Sequence, residues 1–408
     1  MGQVRWAGWT MAIATALVIS GGQVARADIA SDKPAAIVLY PDIKVSVVNG
    51  VDTEIRLTNT NQTTALFAHC FFVDANSHCA GGVNEGAICT STPTACVGGL
   101  CTQGWNETDF NIVLTPKQPI TWRASTGLAD LQVPIPTGVC KNNPFITCST
   151  DLDCNPFPGG TCTASNIGTR IPPVPEAEFA GELKCITVDA NGTPVPNRND
   201  LKGEAILETV TNPGTTAQNF DVASYNAIGI QATGNVSGSP NELILDSASN
   251  PDREYNGCPN FLILDHFFDG ARDPIPGSAN LIATNLVLVP CSEDLLRQIP
   301  GAAVVQYLVF NEFEQRFSTS TTVRCFQDIQ LCDIGGGQCN RSIFNVAVAG
   351  TLTGQTRMQP LGIPPLPSGL LGIAVERHIA LAGPLVRSAA FNLQMSGERD
   401  SPDVITIP

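Results

Sequence analysis

Hydrophobic and polar residues alternate along much of this chain with a period of two, the spacing that turns every second side chain to one face of a strand. In TEIRLTN, Ile55 and Leu57 point one way while Glu54, Arg56 and Thr58 point the other. ITWRAS repeats the pattern with Ile120, Trp122 and Ala124 against Thr121, Arg123 and Ser125, and IGIQAT does so with Ile228, Ile230 and Ala232. The longer apolar runs ALFAHCFFV, FLILDHFF and LIATNLVLVP predict central strands covered on both faces. Helical periodicity is almost absent. Its one candidate longer than a turn is SEDLLRQI, Ser292 to Ile299, where Ser292 would cap and Glu293 and Asp294 would favour the first turn. Asp189-Ala190-Asn191-Gly192 has the chemistry of a hairpin or short loop between GELKCITV and LKGEAILE. Many short strands with Gly- and Pro-rich turns predict an all-β chain of antiparallel β-sandwich units, not a parallel α/β sheet.

A weak internal repeat divides the chain into two units. In the first, a strand ending at Pro41 leads to Asn59 and then Cys70; in the second, a strand ending at Pro290 leads to Asn311 and then Cys325. The first unit is expected from Lys33 to Ala271 and the second from Asn280 to Pro408. The first is long for a sandwich of roughly 100 residues. Two Cys-rich insertions, 79–101 and 140–162, account for part of the excess, each lying between strand signals as a surface loop would. After them IGTRIPPVPEAE returns the chain to the next strand in extended form.

Composition changes the picture mainly by exclusion. The 408 residues carry only 14% charged side chains, with 37 acidic against 22 basic. That balance argues against a nucleic-acid or anionic-membrane partner, both of which need a basic face. Arg5 precedes an apolar run from Met11 to Ser20, and Ala25-Arg26-Ala27 supplies small residues where a signal peptidase reads, so residues 1–27 are expected to be a signal peptide cleaved before Asp28. The apolar run is too short to span a bilayer comfortably, and no later segment is long enough to do so. A secreted or periplasmic product without a transmembrane segment is expected.

In such a compartment, 15 cysteines read first as disulfides. Cys79, Cys89, Cys96 and Cys101 form one group of four, and Cys140, Cys148, Cys154 and Cys162 a second. Cys70, Cys185, Cys258, Cys291, Cys325, Cys332 and Cys339 make up the rest, and the odd total leaves at least one thiol unpaired or bonded to another chain. Zinc is the competing reading, but only the Cys96 to Cys101 interval has the usual ligand spacing.

Catalytic signatures are sparse. None of His69, His78, His266 and His378 has the spacing of paired zinc ligands on a helix, and there is no Gly-x-Ser-x-Gly elbow or phosphate loop. Asn311-Glu312 after the apolar VVQYLVF resembles the strand-end Asn-Glu of barrel glycosidases, with Glu312 as candidate acid. The alternating helices of such a barrel are missing. In LDHFFDGARDP, Asp265 and Asp269 share a strand face and the Asp269-Gly270 turn would bring Asp273 back towards them, a carboxylate set suited to calcium. A strand ending in a polar turn explains the same residues without an ion. Of the aromatic residues available for stacking on sugar, Trp122 points inward and Trp105 is the one exposed candidate.

TEIRLTNTNQTTALFAHCFF, FNIVLTPKQPITW and FAGELKCITVDANG with LKGEAIL resemble strands of exported bacterial immunoglobulin-like sandwich proteins of unassigned function, and CKNNPFITCSTDLDCNPFPGGTC is similar to Cys-rich inserts in such proteins. The resemblance implies an exported β-sandwich protein and brings no catalytic residue or cofactor. In immunoglobulin fashion, Cys70 and Cys185 would bridge the two sheets of the first unit. The functional expectation is a non-enzymatic binding or structural protein of unknown ligand, with a carboxylate-dependent hydrolase built on Glu312 as the alternative.

Overall fold

The structure is a computed structural model that describes residues 29–89, 96–102, 104–128, 138–141, 143–148, 151–154, 160–164, 171–211, 219–236, 238–381 and 386–408. The expected signal segment 1–27 and its cleavage site lie outside these residues. Among the described residues, strands make up 56% and helices 4%, in several sheets of which none closes into a barrel.

The first unit grows from one bent strand. Ile37–Ser46 pairs with Glu178–Val188 along its length, but the register slips between Tyr40 and Ile43, where Pro41 has no N–H to give to a ladder. Tyr225 pins this bulge, its hydroxyl donating to the Asp42 carbonyl at 2.7 Å and accepting from the Asp42 N–H at 3.1 Å. Before the bulge the free edge takes Ile228–Ile230; after it, Ser46 pairs with Val51 and the chain turns into Val51–Asn59. The nine-stranded sheet therefore folds into two layers. One contains Ile37–Ser46, Glu178–Val188, Leu66–Asp74 and Asn106–Leu114; the other contains Asn219–Asn226, Leu201–Thr211, Val51–Asn59 and Pro119–Arg123. Ile55, Leu57, Ile120 and Trp122 fill the core between them, as their alternation predicts. The Tyr40 hydroxyl crosses this core to the Arg56 carbonyl at 2.7 Å, and a Cβ on Gly203 would meet it at 2.0 Å, so this strand position requires glycine.

Cys70 and Cys185 are bonded, but they do not bridge the layers. Glu178–Val188 inserts beside Leu66–Asp74 in one layer, which sets the two cysteines directly opposite each other with Cα atoms 4.0 Å apart. The bond staples neighbouring strands.

The second unit faces the layer of Arg316–Arg324, Ala302–Asn311, Thr353–Pro360, Pro259–Phe267 and Gln394–Glu398 against the layer of Gln327–Gln330, Leu281–Pro290, Leu370–Ile379 and Val386–Asn392. Leu262, Leu264, Leu286, Leu288, Val305 and Tyr307 pack between them. Pro259–Phe267 thus belongs to the second unit, and the seam expected at 271–280 falls inside that unit. The Cys258–Cys291 bond ties the start of this strand to the end of Leu281–Pro290. FLILDHFF is not covered on both faces: Leu262, Leu264 and His266 are buried while Asp265 on the other face is exposed.

Between the units lies a small sheet of Tyr255–Asn256, Glu242–Asp246, Asp403–Thr406 and Glu293–Asp294, which mixes antiparallel and parallel pairs. Leu243, Leu245 and Ile405 from this sheet meet Phe67, Phe71 and Ile186 in a third core. This packing explains why every residue of Leu66–Asp74 is buried. It also overrides the helix expected at SEDLLRQI. The Ser292 hydroxyl, read as a cap, donates instead to Asp403 Oδ1 at 2.6 Å, Glu293–Asp294 forms a short strand, and a turn closes between Asp294 and Ile299.

The internal repeat survives only locally. Asn59 and Asn311 are both buried strand ends whose side chains stitch the following turn. The strands flanking Asn311 form a hairpin within one layer, whereas those flanking Asn59 lie in opposite layers.

Candidate functional site

Each Cys-rich insertion closes on itself. Cys79–Cys96 interlaces with Cys89–Cys101, and Cys140–Cys154 with Cys148–Cys162. Bonded thiols leave no thiolate for zinc. Among the described residues the buried cluster inside each insertion consists of half-cystines alone. Loops of this size bury little else, and described apolar side chains of both insertions are left facing solvent.

In the first insertion, His78–Ala80 pairs with Leu100–Thr102, and Val83 N–H donates to the Val97 carbonyl at 3.0 Å. Gly82 makes that approach feasible, because a Cβ there would meet the Val97 carbonyl oxygen at 2.4 Å. Val83, Val97 and Leu100 are held on this frame at 85%, 59% and 74% exposure. In the second insertion Leu152 is likewise exposed.

Polar contacts anchor the foot of the first insertion. His78 Nε2 lies 2.6 Å from Glu176 Oε1, and Asn76 Nδ2 donates to the Glu178 carbonyl at 2.6 Å. Asp74 beside them is pushed up to about 7 by burial, with Glu176 adding to the effect against the N–H of Asn76 and His78. Asp74, His78 and Glu176 offer ligand atoms within 4.8 Å of one another and are the described His-and-carboxylate group that could hold a cation.

The three carboxylates singled out for calcium do not converge. Asp265 accepts from Gln355 Nε2 at 2.9 Å on an outer sheet face. Asp269 is buried and accepts from Thr284 N–H, Cys332 N–H and Gln330 Nε2, so its oxygens tie the strand at Thr284 to the segment Gln330–Cys332. Asp273 sits in the following loop, accepting from Ile275 N–H at 3.1 Å, with His378 Nδ1 3.2 Å away.

Glu312 is placed in the turn after Ala302–Asn311, where its Oε1 accepts from Thr353 N–H at 3.2 Å and the Thr353 hydroxyl at 2.5 Å. Asn311 is occupied by the same turn, giving Nδ2 to the Ala349 carbonyl and taking Phe313 and Gln315 N–H groups on Oδ1. Asp265, Glu312 and Glu376 nevertheless line one shallow concavity of about 490 Å³. A second hollow of about 260 Å³ lies between the units, where Lys44 bridges Asp42 and Asp328 at 2.9 Å each.

Trp105 is half-buried against the third core, while Trp122 is core, as its alternation predicts. Composition pointed to the insertions, yet which of their apolar residues face outward follows from the interlaced bonds, which spacing does not reveal. Seven disulfides fit an oxidising compartment, and among the described residues no helix is long and apolar enough to cross a membrane. No protein-family model matches this chain, and no curated protein matches it.

Proposed function

We propose that this is a secreted or cell-envelope binding or structural protein of the immunoglobulin-like sandwich kind, without enzymatic activity, in which the stapled insertions carry recognition. The observation that supports this reading is the set Val83, Val97 and Leu100, apolar and exposed on a frame fixed by two interlaced disulfides. Apolar side chains presented rigidly lose little conformational entropy on binding, and loops on a rigid scaffold commonly carry function. The test is affinity capture from the producing organism's envelope and culture fluid with the exported protein, against a Val83→Ser, Val97→Ser, Leu100→Ser variant. Loss of about 1–3 kcal/mol for each side chain that was buried at a contact would weaken capture about tenfold or more, with the melting temperature unchanged. Equal capture by both proteins would refute the assignment.

The concavity holding Asp265, Glu312 and Glu376 favours the hydrolase alternative. Glycoside turnover abolished by Glu312→Gln would select it over the binding reading.

A further inference from the structure

Glu182 and Lys184 stand two residues apart on Glu178–Val188 and face away from the core of the first unit, which their neighbours Leu183 and Cys185 occupy. They meet Glu293 of the small inter-unit sheet. All three side chains are 2% exposed; Lys184 Nζ contacts Glu293 Oε1 and lies 3.7 Å from Glu182 Oε1. Lys184 Nζ, both Glu182 oxygens and Glu293 Oε1 are buried without a hydrogen bond. An unsolvated ion pair with its polar atoms unsatisfied is an arrangement that folded proteins seldom keep. Burial holds the Lys184 amine below its ordinary range and the Glu182 carboxyl above it, and their mutual attraction offsets this only in part. Glu107, pushed up to about 7 by burial and Asp109, and the buried Cys325 thiol also face Lys184.

We propose that Lys184 and Glu293 condense into an intramolecular amide, with Glu182 as the proton-transfer group. The Lys184 Nζ lone pair attacks Glu293 Cδ and forms the C–N bond. Glu182 gives its proton to the departing hydroxyl and receives one from the nitrogen, so the C–O bond breaks, one water leaves, and Glu182 ends as it began. No oxidant, reductant or third reactant is needed. Two groups held in contact by separate folded strands react with an effective molarity on the order of 10⁵–10⁸ M, which favours a condensation that dilute groups in water would not sustain. The product removes both buried charges and supplies an N–H and a carbonyl for Glu182. It also ties the first unit covalently to the sheet that joins it to the second.

The test is the intact mass of the exported full chain after complete reduction and alkylation, wild type against Lys184→Arg. The wild type is expected to fall short of its sequence mass by one water and the variant to have its full mass; both share the same N terminus. Trypsin should leave the Lys184–Cys185 bond of the wild type uncut and release one branched peptide containing Lys184 and Glu293. A wild type of full mass with an ordinary cleaved Lys184 peptide overturns the proposal, whether or not the variant folds. In Glu182→Gln, condensation should slow by about 10²-fold or more; an unchanged rate would remove Glu182 from the step.

Discussion

His266 lies on the inward face of Pro259–Phe267 with its Nε2 2.8 Å from Thr356 Oγ1 and its Nδ1 2.9 Å from the Phe267 carbonyl. Burial pushes its pKa down to about 4, outweighing the opposite pull of that carbonyl and of Asp265. In the unfolded chain the ring takes its proton near about 6.5. Below that pH the unfolded state binds a proton that the native state does not, so stability falls as the pH drops from about 6.5 towards 4. Denaturant melts between these limits should show wild type losing stability more steeply than His266→Gln, and an NMR titration should place the ring near 4. A ring titrating at its ordinary value would contradict the burial described. The motif LDHFFDGARDP made this region conspicuous in the sequence, but not its role: Asp269 looks like a ligand in one dimension and proves, like His266, to be a hydrogen-bonded packing group, because the partners Thr284, Cys332 and Thr356 are remote in the chain.

Among the elements, alternation was the reliable guide. Val51–Asn59 and Pro119–Arg123 bury the residues their period-two pattern assigns inward. Local chemistry misled where a tertiary partner outcompeted it, as at Ser292, whose hydroxyl serves Asp403 and not a helix end. The order of strands within the layers was equally hidden. It decides what Cys70–Cys185 does: this bond closes 115 residues of chain but joins strands already laddered together. Replacing both cysteines by alanine should therefore cost about 5 kcal/mol, mostly by freeing the unfolded chain, while the far-ultraviolet circular dichroism of the native protein stays the same. Chemical denaturation of the double variant measures the first, and loss of native β signal would show that the bond organises the layer instead of stapling it.

For the molecule as a whole, the third core makes the two units interdependent. Ile405 is fully buried on an inner strand of the small sheet, within a cluster that also contains Phe67 and Phe71 of the first unit and Leu371 and Val289 of the second. Ile405→Ala should cost about 2–5 kcal/mol. Because the cavity opens into a core shared by both units, calorimetry should show one transition moving to lower temperature. Two separated transitions, only one of them shifted, would mean that the units melt independently.

Taken alone, the sequence determined those properties that depend on local periodicity and composition: an almost all-β chain, strands that bury alternate residues, and stapled insertions. These are legible because side-chain direction in a strand repeats every two residues and because cysteine-dense, turn-rich segments cannot bury a core of their own. Only the tertiary structure decided where the units divide, that Cys70 and Cys185 share a layer, that the three aspartates face different partners, and that Lys184 meets Glu293. Each depends on contacts between residues far apart in the chain, and the free energy selecting them comes from the layers and shared core, which no single segment encodes.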